Sequence, residues 1–223
     1  MHPWEPIMEY LPSLATFIAF TAASLLLAAT PGPDMTLSIS RALSQGRGPA
    51  LWVVFGTSMG IIVHTLLVAF GISALITASP TAFAILKTGG AGYLLWLAIQ
   101  AIRYGSSFSD TQGEAVATPR ASALANISTG FWVNLLNPKV IIFFMTFLPQ
   151  FVSAGDPDVT GKLIVLGLLF IAIGMPVNTI VVLAADKLSA WLRNNKGVLR
   201  GLDYTFAGVF SIFAVKIFLT QSR

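Results

Sequence analysis

The chain has 223 residues, of which 55% are hydrophobic and 10% are charged, and it contains no cysteine. A soluble domain carries about 25% charged residues, so this composition indicates an integral membrane protein in a lipid bilayer. The missing cysteines exclude disulfides, thiol redox chemistry and thiolate metal sites. The net charge of +4 includes no basic cluster with interleaved aromatics, so nucleic acid is not an expected partner.

Six hydrophobic runs are long enough for transmembrane helices, which need about 20 apolar residues. The runs are continuous and not alternating, which favours helices over a β-barrel. In chain order they lie at about 11–31, 50–76, 82–102, 123–154, 162–185 and 202–220. The first run continues as an amphipathic piece to about 45, and the fourth is too long for one simple span. The sequence therefore predicts an all-α membrane protein with a single membrane domain over residues 1–223.

The charges of the loops predict the orientation of the six spans. The loops near 41–48, 103–122 and 187–201 share one side and carry eight Lys and Arg residues. The other side holds both termini and the loops near 77–87 and 155–162, with three Lys and Arg residues. The positive-inside rule places the first side in the cytoplasm, so we expect both termini outside.

The two halves of the chain resemble each other around a polar loop at about 105–120. "GIIVHTLLV" in the second span aligns with "GMPVNTIVV" in the fifth, which places His64 opposite Asn178. Each half holds three spans, so the second half must enter the membrane in the opposite orientation. We therefore expect a 3+3 inverted repeat, with repeat 1 at about 11–104 and repeat 2 at about 121–221. The alternative is a chance similarity between apolar segments.

Prolines interrupt the first and fourth spans at matching positions. The two breaks combine proline with a charged residue: Pro31, Gly32, Pro33 and Asp34 in the first, and Asn137, Pro138 and Lys139 in the fourth. Proline removes a helical hydrogen bond, and in lipid the freed carbonyls need partners inside the protein. We expect open acceptors near Ala28 and Ala29. Matched breaks of this kind point to the substrate site of a transporter.

Asp34 and Lys139 are ionisable residues within apolar spans, which makes them functional candidates. We expect both to face one cavity, with Asp34 exchanging the coupled proton and with a direct ion pair as one arrangement. The alternatives are that Asp34 only caps the second half-helix and that Lys139 extends to the membrane interface.

Three polar residues and one histidine complete the predicted pathway. Asn134 and Asn137 lie three residues apart, so they share a helix face and offer donors and acceptors to an amino-acid head group. Alternatively they hold helices together. Asn178 marks a distortion beside Pro176, and His64 is either a packing residue or a proton relay. The two histidines, His2 and His64, lie far apart, so no metal site is predicted, and no cofactor either.

Three segments of the chain resemble the LysE/RhtB family of bacterial amino-acid exporters. They are "ATPGPDMTLSISRALSQGRGPALWVVFGTSMG" at 29–60, "FAILKTGGAGYLLWLAIQAIR" at 83–103 and "GFWVNLLNPKVIIFFMTFLPQFV" at 130–152. The resemblance implies an inner-membrane exporter of amino acids or their derivatives, such as lysine, threonine, homoserine or homoserine lactone. It also implies proton-driven antiport and assigns the two proline motifs to the transport pathway.

The sequence thus predicts a secondary transporter and not an enzyme. Its partners would be an amino-acid substrate, protons and the bilayer, and the glycine-bearing helix faces are compatible with a homodimer. A passive channel and a membrane-embedded enzyme subunit are the alternatives. An enzyme would need a nucleophile or a pair of carboxylates within the spans, and Asp34 is the only acid deep in an apolar run. The identity of the amino acid stays open.

Overall fold

The computed structural model describes residues 13–104 and 120–221, which are almost entirely helical and include no β-strand. The all-α prediction is therefore confirmed for this part of the chain. The residues before 13 and nearly all of the loop predicted at 105–120 lie outside the described residues. In chain order the helices are α1 (Leu14–Ala29), α2 (Pro33–Gln45), α3 (Arg47–Ala78), α4 (Pro80–Tyr104), α5 (Ala123–Leu135), α6 (Pro138–Ile142), α7 (Val159–Leu183), α8 (Ala185–Asn194) and α9 (Lys196–Gln221).

The described residues contain three to five candidate membrane spans. Three are single helices long and apolar enough to cross a bilayer: α3, the Thr81–Gln100 part of α4, and α7. Two more arise if each bent pair, α1 with α2 and α5 with its continuation to Phe151, counts as one span. The sixth predicted span falls in α9, which is not among these five, so the number six stays a prediction.

Several predicted loops are shorter than expected. The segment near 77–87 is helical except at Ser79, because α4 begins one residue after it. Much of the segment near 187–201 is also helical, in α8 and the start of α9. α8 is too polar to form an apolar run, so the prediction of spans did not include it. The helix is amphipathic and need not cross the bilayer.

Both predicted breaks bend their spans by nearly the same angle. The bend is 50° between α1 and α2 and 53° between α5 and the segment that starts at Pro138. Gly32 has an extended backbone and precedes Pro33, which opens α2 at its first position. Asn137 precedes Pro138 in the same way. Proline fits the first helical turn because its missing N–H has no helical partner there.

The second half of the fourth span is irregular, which the sequence prediction did not include. α6 is followed by a π-helical turn at Phe143–Phe147 and a 3₁₀ turn at Leu148–Phe151. Pro149 has no N–H to donate to the Met145 carbonyl, so a regular α-helix cannot continue unchanged. Such turns within helices are frequent at functional sites.

α3 lies at the centre of the fold and packs along both α5 and α7, whereas α9 packs along α4. The crossing of α3 and α5 is close because each contributes a glycine. A Cβ added at Gly56 would collide with the backbone of Ile127, and one at Gly130 with the backbone of Val53. Glycine is therefore required on both sides of this contact, as in other close helix pairs within membranes.

The buried core divides into two main clusters at opposite ends of the long helices. One contains Phe20 and Leu27 of α1, the late part of α3, the early part of α7 and the irregular half of the fourth span. The other contains Met35, Ile39 and Ala42 of α2, the early part of α3 and the late part of α7. α3 and α7 contribute to both clusters, so the middle of each of these helices lies between them.

Candidate substrate site

A cavity of about 50 Å³ lies between the two clusters. Its lining comes from both helix breaks, from Thr57, Ser58 and Ile61 of α3, and from one face of α7. A space of about 10–15 Å³ on this measure holds one water molecule, so this cavity has room for a few. Its charged lining residues are Asp34 and Lys139, so the structure places the two predicted charges against one cavity.

The Asp34 carboxylate binds two asparagine side chains from the other half of the chain. Its Oδ2 accepts a hydrogen bond of 2.6 Å from Asn134 Nδ2, and its Oδ1 accepts one of 3.0 Å from Asn137 Nδ2. Gly32, and not Asp34, occupies the N-cap position of α2, so the N-cap residue itself offers no side chain to that helix end. The simple capping role considered for Asp34 therefore does not describe its contacts.

Lys139 makes the reciprocal contact with the first break. Its Nζ donates to the backbone carbonyl of Thr30 at 2.7 Å and to that of Leu27 at 3.1 Å. Pro31 is the residue whose missing N–H would otherwise bond to Leu27, so the ammonium satisfies an acceptor that proline opens. The acceptors that we expected near Ala28 and Ala29 are therefore the carbonyls of the adjacent residues Leu27 and Thr30. With its ammonium held inside the protein, Lys139 does not extend to the interface.

Asn137 and Asn134 connect the two breaks to each other. Asn137 donates to Asp34 while its Oδ1 accepts from the Lys139 backbone N–H at 3.0 Å and so caps α6. Asn134 is the penultimate residue of α5, on the other side of the break. The two amides are therefore brought together by the break between α5 and α6 and not by a shared helix face. The sequence associated Asn134 with Asn137, but for the wrong geometric reason.

Asn134 is also the point at which α3 meets the site. Its Oδ1 is buried and has no hydrogen-bond partner among the described residues. A Cβ at Gly60 would lie 2.5 Å from this atom, so glycine at position 60 makes room for the amide. His64 is buried, with Nε2 3.5 Å from the Asn134 backbone oxygen and its ring beside Phe144. It touches the network without lining the cavity.

One face of α7 forms the opposite wall of the cavity. Asn178 lies there as predicted, and its Nδ2 donates to the Gly174 carbonyl at 3.1 Å. Phe170, Gly174 and Met175 also line this wall, and sequence reasoning missed them. In the sequence, Phe170, Gly174 and Asn178 follow one another at intervals of four residues. This spacing places the three on one helix face and could have indicated that Phe170 and Gly174 share a wall with Asn178.

Comparisons with known proteins identify the family to which the chain belongs. Residues 25–221 match the family model described as LysE type translocator. The chain belongs to this family of translocators. It is therefore a transporter and not an enzyme, and the resemblance seen in the proline motifs is confirmed. No solved structure matches the chain.

Individual relatives differ in the amino acid that their names record. The chain is 30% identical to a homoserine/homoserine lactone efflux protein of Salmonella typhimurium, over 88% of this chain and 92% of that protein. It is 23% identical to a leucine efflux protein of Klebsiella pneumoniae, over 92% and 96% of the two chains. It is 34% identical to a cysteine/O-acetylserine efflux protein of Escherichia coli, over 60% and 64%.

Proposed function

We propose that this protein exports small amino acids or their derivatives from the bacterial cytoplasm in exchange for protons. The observation that carries the proposal is the cavity between the two breaks, lined by one carboxylate, Asp34, and one ammonium, Lys139. A zwitterionic amino acid carries the complementary pair of charges, an ammonium and a carboxylate group attached to one carbon atom. The efflux proteins similar to this chain support the substrate class, with the homoserine type as the first candidate.

The charged groups of the site can bind such a substrate. A carboxylate has about four acceptor sites, and Asp34 accepts one hydrogen bond from each of two amides, so acceptor capacity is left for a substrate ammonium. The α2 helix begins at the cavity without a side-chain cap. Its first backbone N–H groups, together with the Lys139 ammonium, favour the substrate carboxylate.

Proton exchange at Asp34 would couple the proton gradient to export. A protonated Asp34 no longer attracts an ammonium, so proton binding from outside would favour release of the amino acid. Proton release to the cytoplasm would then restore the site. In this mechanism the two halves, as one membrane domain of six spans in a 3+3 inverted repeat, rock about the cavity to alternate access.

Proton-driven flux in reconstituted vesicles tests the function. We expect purified protein in liposomes to move labelled homoserine against its gradient when a pH difference is imposed, and to stop when an ionophore collapses that difference. Unlabelled substrate on the opposite side should accelerate exchange, as it does for a carrier and not for a passive channel. The absence of amino-acid flux under an imposed gradient would contradict the proposal.

The proposed location is the inner membrane, with both termini outside the cytoplasm. The orientation is supported by the charges near the ends of the predicted spans, eight Lys and Arg residues on one side against three on the other, under the positive-inside rule. A reporter enzyme that is active only in the cytoplasm, fused after Arg223, should be silent. Activity of that fusion would reverse the orientation.

A further inference from the structure

We infer that Gly174 determines which amino acids the protein accepts, because its missing side chain provides the space for the substrate's own side chain. This inference rests on the proposed function and specifies it. Both charges lie on the helix breaks, so a bound amino acid directs its side chain towards the remaining walls, which belong to α3 and α7.

The α7 wall is uncharged, and Gly174 is the residue on it that has no side chain. Phe170 and Asn178 lie one turn before and one turn after this glycine on the same helix face, and Met175 is its neighbour on the lining. On α3, the hydroxyl groups of Thr57 and Ser58 both donate to the Val54 carbonyl. Those polar atoms are already satisfied within their own helix.

Packing does not explain why residue 174 is a glycine. Among the described residues, apart from its chain neighbours and the nearby backbone of α7, an added Cβ would come within 4 Å of one atom, Phe170 Cε1 at 3.9 Å, which is an ordinary contact. Gly56 and Gly130 differ, since a Cβ there would collide with backbone. Gly167, one turn before Phe170 on α7, also differs, because its Cβ would collide with Thr65.

Glycine at this position also has a cost. Glycine inside a helix is less favourable than alanine, and residue 174 is buried within the 25-residue helix α7. Alanine would fill part of a cavity of about 50 Å³ and remove that cost. The space left open beside Asp34 and Lys139 is therefore best explained by a ligand that occupies it.

The test compares substrate profiles of the unaltered protein and of Gly174→Ala. Vesicles are loaded with alanine, homoserine, leucine or phenylalanine, and export is measured for each. One methyl group in a closely fitting pocket discriminates by about 10- to 200-fold. We expect the export ratio of the larger to the smaller accepted amino acids to fall by at least about tenfold, with the smallest substrate retained.

Gly71→Ala is the matched control, because it adds the same methyl group to a membrane helix at an exposed position, where the new Cβ would meet no atom of the described residues within 4 Å beyond its own stretch of helix. Its profile should equal that of the unaltered protein. If Gly174→Ala does not accumulate in the membrane, Met175→Ala replaces it. Met175 is 39% exposed and lines the same wall, so its truncation should raise the ratio for larger substrates.

Two results would contradict the role of Gly174, and a third would contradict the proposed function itself. An unchanged profile in Gly174→Ala, or in Met175→Ala where that variant is used, overturns the inference. An equal loss for all substrates also overturns it, since that result would mean that Gly174, two residues before Pro176, serves as a hinge. If the unaltered protein exports none of the four amino acids, the proposed function fails first and the inference fails with it.

Discussion

Replacing Asp34 by asparagine should abolish proton-driven accumulation of the amino acid while exchange between substrate pools continues at a reduced rate. Asparagine keeps the size of aspartate but carries no titrating group, so the transport cycle can no longer bind a proton at this position. It also presents an amide donor to Asn134 or Asn137, whose Nδ2 atoms both point at Asp34. An unsatisfied buried donor costs about 1–3 kcal/mol of stability, and the neutral amide attracts the substrate ammonium less than the carboxylate does, so exchange should be slower.

The two rates are measured on the same vesicles, one with a pH difference and one with labelled substrate against unlabelled substrate at equal pH. Asp158→Asn is the matched control, because Asp158 caps α7 through its side chain and asparagine caps a helix as well as aspartate does. Unimpaired proton-driven accumulation in Asp34→Asn would contradict the coupling role. Complete loss of both rates would mean that substrate binding requires the charge of Asp34 and cannot proceed with the neutral amide.

The helix breaks were predictable from the sequence because proline has a local effect. Pro33 and Pro138 open new helices, and the physical reason lies within four residues of each. The similarity of the two halves then indicated that the breaks belong together. In the structure Asp34 and Lys139 line one cavity, as that pairing implied.

The contacts across the site were not predictable in detail, because they join residues about 100 positions apart. The sequence offered Asn134 and Asn137 as polar candidates, but it could not show that both donate to one carboxylate. Spacing could place Gly174 on the same helix face as Asn178, but the sequence could not show whether this glycine meets backbone or a cavity. The π-helical turn at Phe143–Phe147 was equally hidden, because it differs from an α-helix only in its hydrogen-bond register.

Replacing Lys139 by methionine should abolish export and reduce the amount of folded protein in the membrane. Methionine has a similar length and no charge, so the carbonyls of Leu27 and Thr30 lose the ammonium that donates to both. An unsatisfied carbonyl away from water costs about 1–3 kcal/mol, and two of them lie at a single bend. The site also loses the cation proposed to bind the substrate carboxylate. Thermal unfolding in detergent and export from vesicles measure the two effects.

Lys87→Met is the matched control for this substitution. Lys87 is a partly buried lysine of α4 whose Nζ also donates to a backbone carbonyl, that of Val152 at 3.2 Å. It does not line the cavity, so its loss should lower stability without removing transport. Equal export by Lys139→Met and the unaltered protein would contradict the role of Lys139 in the site.

The double variant Asp34→Asn with Lys139→Met separates assembly from transport. Each single variant leaves one charge in a cavity that otherwise holds two opposite ones, and an uncompensated charge within a membrane protein is costly. The double variant removes both charges, so its loss of yield and of thermal stability should be smaller than the sum of the two single losses, because the two sites are coupled. Export should stay absent, because neither the proposed proton site nor the cation for the substrate carboxylate remains. Recovery of export with the fold would mean that the two charges serve only to hold the breaks together.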